Sequence, residues 1–123
     1  MVSIKSGDIF WCTSQGEGQE EQGRHPWIAI SVESRTSLAI AVPMTSNITS
    51  YGPSETYVNR AEIEYNMDCQ HPLDQAKGEG VVKCAKLRHW SFDRVDEIIG
   101  SATKYYVNRL RGIVADVLAI PRR

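Results

Sequence analysis

The sequence predicts a small α+β domain, mainly β: a barrel of short antiparallel strands with one C-terminal helix. Three observations carry that prediction. Short apolar or alternating runs, bounded by Gly, Ser, Asn and Pro, recur from residue 8 to residue 90. The apolar period then lengthens to that of a helix in the last segment. The chain has 123 residues with 41% apolar and 24% charged side chains, enough for one domain spanning 1–123 and one core.

"SGDIFWCTS" opens the chain as a strand, with Ile9 and Trp11 on one face and Phe10 and Cys12 on the other. Apolar residues on both faces mark a strand buried from two sides. The polar loop "QGEGQEEQGR" comes next. "PWIAISV" and "SLAIAVPM" are short apolar runs separated by the turn residues "ESRTS", which predicts a hairpin. After the loop "TSNITSYGPS", the segment "ETYVNRAEIEYN" alternates and predicts a strand pair. "MDCQHPLDQAKGEG" reads as loop, and "GVVKCAKLRHW" as one strand from Val81 through Leu87.

"DRVDEIIG" has the pattern of one or two helical turns closed by Gly100, with Ser101 as the N-cap of the final helix. Val107, Leu110, Ile113, Val114, Val117 and Leu118 recur at helical spacing. They predict a helix from about 102 to 119, stopped by Pro121.

No apolar run approaches the roughly 18 to 20 residues that span a bilayer, and the start lacks the apolar stretch of a secretion signal. A cytoplasmic protein with no membrane partner is the expectation. Cys12, Cys69 and Cys84 form an odd set without a CxxC pair, which fits a reducing compartment. Cys69, His71 and Cys84 match no common zinc spacing, so the cysteines read as small buried hydrophobes and no cofactor or metal is expected. The net charge of −1 hides a split: residues 1–76 carry 4 basic and 10 acidic residues, residues 77–123 carry 10 and 5. Neutralisation of the halves within one fold is the simplest reading; a nucleic-acid surface or a self-complementary assembly is the other.

The order of the pieces "GDIFWC", "GQEEQGRHP", "WIAIS", "VPMTSN" and "GVVKCAKLR", with a closing helix after them, resembles the MazF/PemK toxin family from Gly7 to about Ile120. Residues 54–76 fit that pattern least. The resemblance implies an SH3-like, CcdB/PemK-like barrel, a homodimer and an antitoxin partner. It also implies a metal-independent endoribonuclease that cuts single-stranded RNA, leaving 2′,3′-cyclic phosphate and 5′-hydroxyl ends. Two alternatives stand beside it. One is a catalytically weakened or inactive relative that binds RNA or an antitoxin. The other is a CcdB-like gyrase-binding poison, disfavoured because the chain ends "VLAIPRR" rather than in the Trp-Gly-Ile of those proteins.

Cutting RNA without a metal needs a group to take the 2′-hydroxyl proton, a cation for the phosphoryl oxygens and an acid for the leaving oxygen. Histidine suits the proton steps, and arginine or lysine the charge. The residue before the strand-opening Pro is usually a catalytic Arg in the family; here it is His25, with Arg24 one position earlier. Because neighbouring residues of an extended chain point opposite ways, Arg24 shares the site of His25 only if the loop is remodelled. The resemblance makes Arg24, His25, Thr45, Glu20 and Lys83 the catalytic candidates. Gln19, Ser46, Lys86, Arg88 and Trp90 are the RNA-binding ones, with basic residues holding phosphates and rings stacking bases. For Trp90, packing under the final helix is an equal alternative, and for Phe92 it is the preferred reading. Lys83 stands where PemK-like members have an active-site Arg, and the acidic residue those members carry two positions later is Ala85 here.

Overall fold

A computed structural model describes residues 3–14, 23–45, 55–59, 62–65 and 79–118. Its eight strands are β1 (Asp8–Ser14), β2 (Gly23–Glu33), β3 (Leu38–Thr45), β4 (Glu55–Asn59), β5 (Ile63–Tyr65), β6 (Glu79–Lys83), β7 (Arg88–Ser91) and β8 (Glu97–Ala102). Short 3-10 turns at Cys84–Lys86 and Phe92–Arg94 flank β7, and helix α1 (Lys104–Leu118) closes the fold. The strands pair antiparallel in the order β4-β6-β3-β2-β1-β8-β5. Strand β3 belongs to two ladders: Leu38–Ala41 pairs with β7, and Met44–Thr45 pairs with β6. The sheet therefore curls into a small barrel.

Two apolar clusters explain why the central strands are hydrophobic on both faces. Ile9, Ile28, Val42, Met44, Val82 and Ile99 pack beneath Tyr106, Val107, Leu110 and Val114 of α1. Phe10, Cys12, Trp27, Ala29, Ala41 and Trp90 fill the other face. The β1 alternation read from the sequence is the one observed, as are the β2–β3 hairpin and the C-terminal helix.

Gly7 sets the start of β1. Its φ of 95° lies in the left-handed region, and its backbone joins three segments: N–H to Ala29 O at 2.7 Å and C=O from Ala102 N at 2.8 Å. Asp8 completes the turn by accepting the Lys5 N–H at 2.9 Å. The hairpin register shifts between Ala29 and Ser31. The Ile30 carbonyl at that bulge accepts Arg111 Nε from α1 at 2.7 Å, while Arg111 Nη2 donates to Ser6 Oγ at 2.6 Å.

Four expectations need correction. The run from Val81 to Leu87 is not one strand: β6 ends at Lys83, a 3-10 turn intervenes, and β7 starts at Arg88. "DRVDEIIG" is no helix but a 3-10 turn leading into β8, in which Ile99 joins one cluster and Ile98 packs on the other. Burial from both sides produced an apolar pair that a helical period also accommodates. Ser101 lies in β8, so the N-cap falls to Thr103, whose Oγ1 accepts the Tyr106 N–H at 3.2 Å. The strands within residues 55–65 exist, but each pairs elsewhere: β4 with β6, and β5 with β8. Among the described residues no helix is long and apolar enough to cross a membrane.

Candidate functional site

Strand β2 begins at Gly23, so Arg24 and His25 are consecutive strand residues and face opposite ways. The β1–β2 register puts His25 opposite Cys12 and Arg24 opposite Thr13. The two side chains therefore belong to different faces of the sheet.

His25 shares the Cys12–Trp27 face and is half-buried at its rim. The β2–β3 ladder ends with Trp27 opposite Pro43; two residues beyond that pair, His25 and Thr45 lie on the same face of their strands. Thr45 pairs with Val81, and Val81 with Tyr57. One step along the same face, Lys83 pairs with Glu55. Residues directly opposite on adjacent strands lie about 5 Å apart and diagonal ones about 7–8 Å; the β3–β6 register, carried one residue past Met44–Val82, sets Lys83 level with Pro43 and diagonal to Thr45. This face therefore carries a proton carrier, a hydroxyl donor and an ammonium group on three neighbouring strands, around Val81, which is fully buried. His25, Thr45, Tyr57 and Lys83 each interact with a neighbouring group.

A basic patch adjoins this face. Arg88 pairs opposite Ala41 and lays its guanidinium 4.1 Å from the centre of the Trp90 ring, with that of Arg94 at 5.5 Å. The Arg94 carbonyl accepts the Cys12 thiol at 3.2 Å. Burial pushes that thiol up to about 12; Asp96 adds to the rise, and Arg94 and Arg88 draw it down. Cys12 is thus a buried packing residue rather than a nucleophile. Burial likewise pushes the Cys84 thiol up to about 12. Lys86 lies in the 3-10 turn between β6 and β7, half-buried and engaged.

Two sequence-derived assignments change here. Trp90 is 1% exposed and packs edge-on against Trp27 at 5.1 Å, so its ring offers no open face to a base. It belongs to the barrel core with Phe92, and neither lies in the cluster beneath α1. Arg24, a catalytic candidate by the family resemblance, points to the face opposite His25. Its guanidinium sits 4.4 Å from the Trp11 ring centre, with Nε 3.3 Å from Asp96 Oδ2 and Nη2 3.8 Å from Glu97 Oε1. These groups are about half exposed, so the ion pair contributes ~0.2–1 kcal/mol. Glu20, Gln19 and Ser46 lie outside the described residues, as do Cys69 and His71. Sequence reading missed Asp96 and Glu97, because β8 was read as helix. Arg94 was visible in the basic–aromatic run "KCAKLRHWSFDR", but its place on Trp90 was not.

A family model described as "PemK-like, MazF-like toxin of type II toxin-antitoxin system" matches residues 5–118. Among solved structures, the chain is similar to MazF from Deinococcus radiodurans, with a TM-score of 0.70 and 21% identity over 98% of this chain and 100% of that one. It is also similar to an endoribonuclease in complex with its cognate antitoxin from a mycobacterial species, at TM-score 0.64 and 18% identity over 95% and 96% of the chains. Mycobacterium tuberculosis toxin MazF-mt6 matches at TM-score 0.63 and 13% identity over 94% and 99%. At these identities the likeness is one of fold. No curated protein matches the sequence.

Proposed function

The chain belongs to the PemK-like, MazF-like toxin family of type II toxin–antitoxin systems, and from that premise we propose that it is a metal-independent endoribonuclease acting on single-stranded RNA, mRNA in the cytoplasm. The observation that supports this most is that His25, Thr45 and Lys83, which come from three separated motifs, lie on one face of β2, β3 and β6.

In this reading the ribose 2′-oxygen attacks the adjacent phosphorus and the bond from phosphorus to the 5′-oxygen breaks. The products are a 2′,3′-cyclic phosphate and a 5′-hydroxyl. His25 serves one proton step, as base to the 2′-hydroxyl or acid to the 5′-oxygen; Glu20 is the candidate for the other. Lys83 neutralises the charge growing on the phosphoryl oxygens, and Thr45 donates a hydrogen bond to one of them. Arg88 and Lys86 hold flanking phosphates, with Gln19 and Ser46 as further RNA contacts. Histidine here takes the role of the arginine usual in the family.

The partners are an antitoxin and a second copy of the chain. Tyr105, Val117 and Leu118 leave apolar surface exposed on α1, which supports protein association there. Light scattering of the purified protein, alone and with its antitoxin, tests both partners.

The function is tested by incubating the purified protein, free of antitoxin, with a mixed-sequence RNA in EDTA and identifying fragment ends. Discrete cuts with cyclic-phosphate and 5′-hydroxyl ends are expected. Absence of cuts from folded protein would transfer the assignment to a relative that binds without cutting.

A further inference from the structure

We propose that Arg24 is a positioning residue: it clamps the start of β2 across β1 to Asp96 and Glu97 and thereby fixes the His25 imidazole. The proposal rests on the reading of His25 as the residue that moves a proton.

The start of β2 reaches past the end of one of its two ladders. Among the described residues the ladder to β3 stops at Trp27–Pro43, whereas the ladder to β1 continues through His25, opposite Cys12. A second restraint lies on the opposite face. From Thr13's register position, the Arg24 side chain crosses over β1, stacks on Trp11 at 4.4 Å, and reaches Asp96 Oδ2 at 3.3 Å and Glu97 Oε1 at 3.8 Å. Glu97 pairs with Trp11 in the β1–β8 ladder, and the Asp96 N–H donates to the Trp11 carbonyl at 2.9 Å. Three strands are thus tied at one level, one residue from His25. A planar guanidinium can stack on an indole while its edge meets carboxylates.

The same geometry argues against Arg24 as a phosphate ligand for the reaction. It sits on the other face from His25, Thr45 and Lys83, and two carboxylates already occupy its donors' reach.

The test compares wild type with Arg24→Ala and with the double variant Asp96→Asn/Glu97→Gln. The clamp is half exposed, so each variant keeps its fold, which circular dichroism checks. Both variants are expected to lose between about tenfold and a hundredfold in single-turnover cleavage rate, the scale of a misplaced catalytic group. RNA affinity should stay within about twofold of wild type, since no phosphate contact is removed. In NMR spectra of the imidazole carbons, the His25 signal should shift in both variants while exposed His89 keeps its own.

A His25 signal unmoved by the double variant overturns the clamp, whatever the activity. Weakened RNA binding in Arg24→Ala, with the double variant unaffected, overturns it in favour of direct phosphate contact. If wild type cuts no RNA, the functional reading fails by itself, and the NMR arm still decides the clamp.

Discussion

Replacing Trp90 by phenylalanine separates a core indole from an RNA-stacking one. The ring is 1% exposed, lies 5.1 Å from Trp27, and its Nε1 has no hydrogen-bond partner among the described residues. Phenylalanine is smaller by about three ring atoms, and at ~0.8 kcal/mol per buried CH₂-sized group the loss is roughly 2 to 2.5 kcal/mol before any cavity cost. Removing an unsatisfied buried N–H returns about 1 kcal/mol. The net is a destabilisation of about 1 to 2 kcal/mol, small enough against a typical stability of ~5–15 kcal/mol for the variant to fold. For a domain of this size that lowers Tm by roughly 3 to 8 °C. Calorimetry reads the shift, and fluorescence anisotropy with a labelled single-stranded RNA reads affinity, which should not change. A Tm within about 1 °C of wild type, together with weaker RNA binding, would refute the core placement.

The same geometry sets three further outcomes. Thr45→Val keeps shape but removes the hydroxyl, and should lower the single-turnover cleavage rate by about 10- to 100-fold, at or below the scale of a lost oxyanion donor, with Tm little changed; an unaltered rate removes Thr45 from the site. Arg111→Ala deprives the Ile30 carbonyl at the β-bulge of its 2.7 Å donor and should cost about 1 to 2 kcal/mol in urea unfolding, without altering RNA affinity. Cys12 and Cys84 have folded pKa values raised from 9.0 to about 12, so between those values the unfolded thiols ionise while the folded ones stay neutral. Their stabilising effect is complete below pH 9 and is lost as pH rises toward 12. The urea midpoint should therefore drop between about pH 8 and about pH 10.5, and drop less in a Cys12→Ala/Cys84→Ala variant.

How much was legible depends on how many faces each segment buries. The β2–β3 hairpin is bracketed by turn residues, and α1 has one apolar stripe, so periodicity located both. Strand β8 carries Ile98 and Ile99 toward different clusters, and adjacent apolar residues erase the two-residue period that would have marked a strand. Cys84–Lys86 breaks β6 from β7 without a Gly or Pro to announce it. At the site, alternation was sufficient to foresee that Arg24 and His25 diverge, once β2 was known to begin at Gly23. That His25, Thr45 and Lys83 share one face depends on registers between strands far apart in sequence, which no local pattern encodes. Their selection rested on the family motifs. Trp90 was ambiguous because a basic–aromatic run describes both an RNA platform and a core indole with cations packed over it.

If the His25 face, and not Arg24, carries the chemistry, the two residues must differ in what their loss removes. The most direct measurement is single-turnover cleavage of one RNA in EDTA by wild type, His25→Ala and Arg24→Lys at matched, saturating protein. Wild type should give cyclic-phosphate product, and a folded His25→Ala none above background. Arg24→Lys, which keeps the charge, should retain a reduced but measurable rate. Cleavage by His25→Ala at the wild-type rate would contradict the assignment.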